Sequence, residues 1–290
     1  MTIEHHVTRR QAVKVAGTAG AVNFLAPFAG FTPTPALATA AAAGAAGLTP
    51  ELTEGPYWVN TMLHRSNVLA NSHGGGRQLG VPLRLYINVF EATTQKPMNG
   101  LAVDIWHANA HGLYSDESSQ QAGGGTSSST GDTTTDNWLR GYQITGKDRG
   151  LRAKPRHGQV SFQTIWPGWY TGRAIHIHVR VRKLNSTGAT IAGYTTQIFF
   201  SNADNTRVLT GATPYNRRSP RTDPTTDEND TVLSSADFKT NIVSVKGSIG
   251  KGYVAVFNIS ADIAEVDATG SLSRPGSGGN PGPEEPPPTA

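Results

Sequence analysis

Apolar and polar positions alternate in short runs through the middle of the chain. From Val81 to Val89 every odd position is apolar (Val81, Leu83, Leu85, Ile87, Val89), the period of a half-buried strand. Gln159–Ile165 alternates again, and Ile175, Ile177, Val179 and Val181 set a β-branched residue at every second place. Leu101–Trp106 follows a turn at Pro97–Gly100, Tyr194–Phe200 repeats the pattern, and Tyr253–Ile259 closes the series. Short strands separated by Gly, Pro, Asn and Asp predict an all-β protein, with two sheets packed as a sandwich. Abundant glycine (33 residues) and low charge (16%) agree better with turn-separated strands than with a helical bundle.

The ends read differently from the middle. Residues 1–48 hold a basic opening with paired Arg9-Arg10, a soft Ala/Gly-rich apolar stretch and a small-residue site at Ala36-Leu37-Ala38. That order resembles a twin-arginine export signal followed by a small-residue linker, so the protein is expected to be secreted. The stretch is too short and glycine-rich for a membrane span, and no membrane insertion is expected after cleavage. Residues 274–290 are Pro/Gly-rich and read as a disordered tail or a linker. This leaves one domain at 49–273, large enough to bury a core. Within it, Gln121–Asp136 is Gly/Ser/Thr-rich and reads as a surface loop. The net charge of +4 and pI near 9.4 do not point to nucleic acid. No dense basic stripe with interleaved aromatics occurs, and the run Arg217–Arg221 is broken by Ser219 and Pro220.

His176-Ile177-His178 is the sharpest chemical feature. On a strand, residues two apart project to the same face, so the two imidazoles stand side by side as a ready pair of metal ligands. A polar outer sheet face explains the same spacing. Tyr170 falls on a Pro-Gly turn that feeds the histidine strand, and Tyr114 falls just after another strand; taken singly, each reads as a packing residue. His107 and His111 are four apart, but the Gly and Asn around them argue against a helix that would pair them.

Taken in order, the segments resemble the intradiol ring-cleavage dioxygenases. Trp106–Ser115 is similar to that family's W-x-A-N-x-x-G-x-Y segment. Arg140–Thr145 resembles its next strand, Phe162–Tyr170 its T-I-x-P-x-x-Y turn, and Arg173–His178 its R-x-x-H-x-H strand. Thr196–Phe200 resembles the strand after that, and Thr53–Trp58 its T-x-G-P-[FY] segment. The likeness runs in family order from about 53 to 200. It implies a prealbumin-like β-sandwich with long loops carrying the site, and one non-haem ferric iron held by Tyr114, Tyr170, His176 and His178. A free tyrosine has a pKa of about 10; a bound trivalent cation favours the phenolate instead. With one hydroxide, two phenolates cancel the metal's charge, so burial is tolerable.

The resemblance also assigns roles. Substrate is a catechol chelated through both oxygens, and the second reactant is dioxygen. Tyr170 is expected to leave the metal, and either it or the hydroxide to accept a substrate proton. Dioxygen then attacks the chelated ring, which opens between its oxygenated carbons to a cis,cis-muconate-type diacid. Arg173 and Gln197 act beside the ring, the arginine by stabilising developing negative charge. Gly55, Pro56, Tyr57 and Trp169 are expected at the substrate pocket. The chain departs from the intracellular catechol enzymes in three respects. Only six positions separate Tyr170 from His176, which implies a more open site. There is no room for a helical N-terminal dimerisation segment, which leaves the oligomeric state open. A basic stretch at Leu151–His157 interrupts a strand hairpin. Two other readings stand beside this one: a sandwich that binds aromatic or polysaccharide surfaces through Trp58, Trp166 and Trp169, and a His/Tyr metallohydrolase. The latter lacks an obvious carboxylate base beside the histidines.

Overall fold

A computed structural model describes residues 47–117, 133–217, 224–233 and 240–265. The export signal, most of the Gln121–Asp136 stretch and the 274–290 tail lie outside the described residues. Among the described residues ten strands form: β1 (Pro82–Glu91), β2 (Ala102–Trp106), β3 (Arg140–Ile144), β4 (Gln159–Ile165), β5 (His176–Leu184), β6 (Thr190–Phe200), β7 (Ile242–Val243), β8 (Val245–Ser248), β9 (Gly252–Ala261) and β10 (Ala264–Glu265). An α-helix, α1 (Asn202–Gly211), follows β6. Four strands pair in the order β4-β1-β9-β8; a second sheet runs β10-β6-β5-β2-β3, with β7 also on β6. Each long alternating run of the sequence is a strand, its ends displaced by up to four residues.

The alternation decides which faces meet. Leu83, Leu85, Ile87 and Val89 of β1 share one core with Ile177, Val179 and Val181 of β5 and Ala255, Phe257 and Ile259 of β9. Each such aliphatic side chain removed from water contributes about 1.5–3 kcal/mol, so a one-residue slip of any central strand would invert its buried face. β1 pairs antiparallel with β4 and parallel with β9, where Leu83 lies opposite Tyr253 and Phe90 opposite Ser260. Thr49 then closes a loop onto the same strand: its N–H donates to Ser260 O at 2.8 Å, and its hydroxyl accepts from Ser260 N at 2.9 Å.

β5 is buried on both faces. Its second face carries His176, His178, Arg180 and Arg182, and it is roofed by residues 53–60. Arg182 binds Asp104 of β2 through two bonds (Nε–Oδ2 2.7 Å, Nη2–Oδ1 2.9 Å). Arg180 pairs with Glu54, and both guanidinium groups lie over the Trp58 ring at 5.0 and 5.4 Å. The roof is thus held to a row of sheet cations.

The basic stretch 151–157 lies across the outer face of the four-stranded sheet. Arg152 stacks over Tyr86 at 4.6 Å and binds the Gln159 side chain, while Leu151 N donates to Ser161 Oγ at 2.8 Å. α1 opens on Ser201, whose hydroxyl accepts from Asp204 N. It buries Asn205, Val208 and Leu209, and Asn205 Oδ1 accepts from Trp166 Nε1 at 3.2 Å.

Candidate metal centre

Two loops and one strand build the site. His176 and His178 project from the outer face of β5. Directly opposite His178 in the ladders stand Trp106 on β2 and Gln197 on β6, so all three share that face. The Trp106 ring lies flat on His178, with centroids 4.7 Å apart and planes 8° apart. His176 Nδ1 donates to Ala174 O at 2.6 Å, which leaves its Nε2 as the lone-pair nitrogen.

Tyr114 and Tyr170 arrive on loops that interlock backbone against backbone. Asn109 organises the first: its Oδ1 accepts from His111 N (2.9 Å) and Leu113 N (3.1 Å), and its carbonyl accepts from Gly112 N and Gly168 N, both at 2.9 Å. Gly112 has φ +81°, and a Cβ there would lie 2.9 Å from the Trp169 carbonyl carbon. A Cβ on Gly168 would come within 2.6 Å of the Ala110 carbonyl. The glycines let one tyrosine loop seat on the other, which accounts for the N-x-x-G and P-G spacing of the sequence. Buried Arg140 adds a clasp: Nη1 donates to Tyr57 O at 2.6 Å, Nε to Ser115 Oγ at 2.9 Å, and Nη2 to Ser115 O.

Four donor atoms meet as a result. His176 Nε2 lies 3.1 Å from His178 Nε2, 3.2 Å from Tyr170 Oη and 3.3 Å from Tyr114 Oη. One lone pair cannot serve three neighbours. Atoms that each bind one ion at about 2.1 Å stand roughly 3.0–3.4 Å apart, so this spacing fits a shared cation. Among the described residues no group of three or more His, Cys, Asp or Glu gathers; phenolic oxygens complete this set, and they suit a hard trivalent ion. Burial, followed by the nearby Arg173, pushes both imidazoles well below the ordinary histidine pKa. They are therefore neutral, the form that binds metal. Burial raises Tyr114 well above the ordinary phenol and also raises Tyr170, so a cation is required to bring out the phenolates.

The remaining expected residues fall into place unequally. Gly55 (φ +71°) passes so close to His178 that a Cβ would meet Cε1 at 3.2 Å. Tyr57 stacks on Tyr114 at 4.3 Å and meets Tyr170 edge-on at 6.4 Å. Pro56 is exposed next to them. The Trp169 side chain belongs to the main core, and its backbone carbonyl is what reaches the Tyr114 loop. Arg173 Nη2 donates to Gln197 Oε1 at 2.5 Å, and Gln197 Nε2 donates to Thr53 O at 2.8 Å. Arg173 Nε also binds Asp230 Oδ2 at 2.9 Å, a partner with no sequence signal in its Thr/Asp/Asn-rich surroundings. Tyr170 to Arg173 is a tight turn through Gly172 (φ +86°), so the short spacing to His176 is met by a turn rather than a wall.

His107 is buried with Nδ1 on Ala108 O (2.8 Å) and Nε2 on Thr164 Oγ1 (2.6 Å), a packing role. Trp166 and Trp169 are buried, so they form no exposed aromatic platform of the kind a binding module needs. A small hollow beside Leu79 and Thr164 includes none of the four donors.

The sequence model of a dioxygenase family (Dioxygenase) matches residues 53–209, more than half of the chain. Among solved structures, an intradiol ring-cleavage dioxygenase from Tetranychus urticae is 27% identical with a TM-score of 0.58, covering 75% of this chain and 94% of its own. A second dioxygenase crystal structure is 26% identical at TM-score 0.57, with coverages of 75% and 94%. The dioxygenase domain of a dioxygenase carbohydrate-binding protein fusion from Streptomyces sp. SirexAA-E is 25% identical at TM-score 0.43, with coverages of 75% and 99%. No curated protein matches.

Proposed function

The chain belongs to the intradiol ring-cleavage dioxygenases, and from that premise we propose that it is an exported enzyme using one ferric iron on Tyr114, Tyr170, His176 and His178. It splits catecholic rings with dioxygen between the two hydroxyl-bearing carbons, giving cis,cis-muconate-type diacids in aromatic-compound catabolism. The observation that carries this reading is the meeting of three side-chain donors within 3.1–3.3 Å of His176 Nε2. Those four residues would hold the ferric iron, which would supply the Lewis acidity that favours phenolate over phenol and draws a catechol to the site.

The protein's own residues do the rest. Burial keeps the imidazoles neutral, so their lone pairs stay available across ordinary pH. Tyr170 is less covered than Tyr114 and is the donor suited to release and take a proton from a substrate hydroxyl. Tyr57 offers a ring face to a planar substrate, and Gly55 keeps the edge of His178 clear. Arg173 brings a fixed positive charge to the side of the cluster where charge develops on the ring. Support for export comes from Arg9-Arg10, the soft apolar stretch and Ala36-Leu37-Ala38. Among the described residues no helix is long and apolar enough to cross a membrane.

The test uses the purified chain loaded with ferric iron. Oxygen uptake is followed with catechol, protocatechuate and hydroxyquinol, and products are weighed by mass spectrometry. Coloured protein and a ring-opened product carrying both oxygen atoms are expected. A colourless preparation that consumes no oxygen with any of the three refutes the reading.

A further inference from the structure

We propose that Asp230 is the positioning residue for Arg173, a buried carboxylate that fixes where the guanidinium stands beside the four-donor cluster; this rests on reading that cluster as a ring-cleaving centre. Asp230 is fully buried. Oδ1 accepts from Val232 N and Leu233 N, both at 2.9 Å, and Oδ2 accepts from Ala174 N at 2.7 Å and Arg173 Nε at 2.9 Å. Three of these four donors are backbone groups. The carboxylate is therefore placed by the chain itself, and the guanidinium is what it places.

The stretch carrying Asp230 is itself pinned. Asp227 N donates to Asn202 Oδ1 at 3.0 Å, and Asn202 Nδ2 donates to the Glu228 carboxylate at 2.9 Å. Asn202 opens α1 directly after β6, the strand that carries Gln197. On its other side Arg173 donates to Gln197 Oε1, and Gln197 Nε2 donates to Thr53 O of the roof. A guanidinium only donates and a backbone carbonyl only accepts, so the Gln197 amide fits one way round. A continuous line of hydrogen bonds thus joins Asp230 to the roof, with Arg173 donating toward both ends of it. It engages Nε and Nη2 of Arg173, and among the described residues Nη1 makes no hydrogen bond. That free end is what a substrate meets. Without Asp230 the arginine keeps its charge and loses its place, and misplacement of such a charge is costly to rate.

The experiment compares native chain and Asp230→Asn, both full length and iron-loaded. The variant is expected to keep its colour and KM while kcat falls about 10–100-fold, the usual loss for an outer partner of a catalytic group. In an Arg173→Gln background the same substitution is expected to add nothing; an equal further loss there overturns the proposal. A second readout does not depend on turnover: hydrogen exchange of the Arg173 Nε–H, followed by NMR. Slow exchange is expected in the native chain and fast exchange in Asp230→Asn, and fast exchange in the native chain overturns the proposal. Should Asp230→Asn not fold, Arg173→Lys serves, because lysine keeps the charge without the fork; full turnover in that variant overturns the proposal. Absence of ring cleavage by the native chain would instead sink the dioxygenase reading, leaving the exchange data to judge Asp230.

Discussion

Gly112→Ala tests whether the two tyrosine loops hold each other in place. Two costs combine at this position. With φ at +81°, an alanine meets the left-handed penalty, about 1–2 kcal/mol. Its Cβ would also sit 2.9 Å from the Trp169 carbonyl carbon and overlap the attached oxygen. This is a rigid backbone neighbour rather than a side chain that can turn aside, so overpacking adds about 1–3 kcal/mol. The sum is about 2–5 kcal/mol. Gly100→Ala isolates the first cost, since Gly100 has φ +79° and nothing within 4 Å of a Cβ. Urea denaturation of both variants gives the steric part by difference, and the visible spectrum after iron loading reports the donors. The expected outcome is a destabilisation beyond Gly100→Ala by about 1–3 kcal/mol, with iron bound more weakly. Equal stabilities of the two variants, with an unaltered spectrum, would mean that the loops are not braced against each other.

Four further outcomes are expected. Tyr114→Phe removes one phenolate and is expected to abolish the charge-transfer colour or shift it sharply; an unchanged spectrum removes Tyr114 from the donor set. Arg173→Ala is expected to retain iron, measured by metal analysis, while turnover drops about 100-fold or more; full activity contradicts its electrostatic role. Burial holds the His107 pKa down to about 4 against an ordinary 6.5, so the unfolded chain takes up a proton that the native state refuses. Its contribution is intact above 6.5 and is lost as pH falls toward 4, on the order of 3 kcal/mol in all; His107→Gln is therefore expected to flatten the denaturation midpoint over that window relative to the native chain. Replacing Arg9 and Arg10 together by lysine is expected to leave the protein inside the cell, as seen by fractionation; undiminished secretion argues against the twin-arginine route.

What could be read from sequence follows from which interactions are local. Strand alternation is a property of neighbouring residues, so β1, β4, β5 and β9 were visible from their apolar periods. His176 and His178 were visible as a same-face pair for the same reason. α1 was not, because its buried positions include the polar Asn205 and its sequence carries little amphipathic contrast; the Ser201/Asp204 spacing was the one local sign of its start. β7, β8 and β10 are too short to show a period. Asp230 and Arg140 escaped for a different reason. Their roles are defined by partners far away in the chain, Arg173 for one and the Tyr57 and Ser115 backbone for the other, and single residues of common type announce no such pairing. Trp169, a motif aromatic expected at the pocket, packs its ring with the core while its peptide carbonyl meets the Tyr114 loop, a split between ring and backbone that no local pattern announces.

The parallel pairing of β1 with β9 sets a condition on biosynthesis. The first long strand waits with one edge open until nearly the last described residues have left the ribosome, since Leu83 finds its partner only in Tyr253. Contacts so remote in sequence make folding slow and largely post-translational. The Thr49–Ser260 clasp extends the same dependence to the roof over the histidines. A chain cut just before Gly252 would therefore lose more than a strand: it would expose two sticky sheet edges and remove one of the anchors of the segment that leads into the roof, so such fragments are expected to aggregate rather than to survive as inactive monomers.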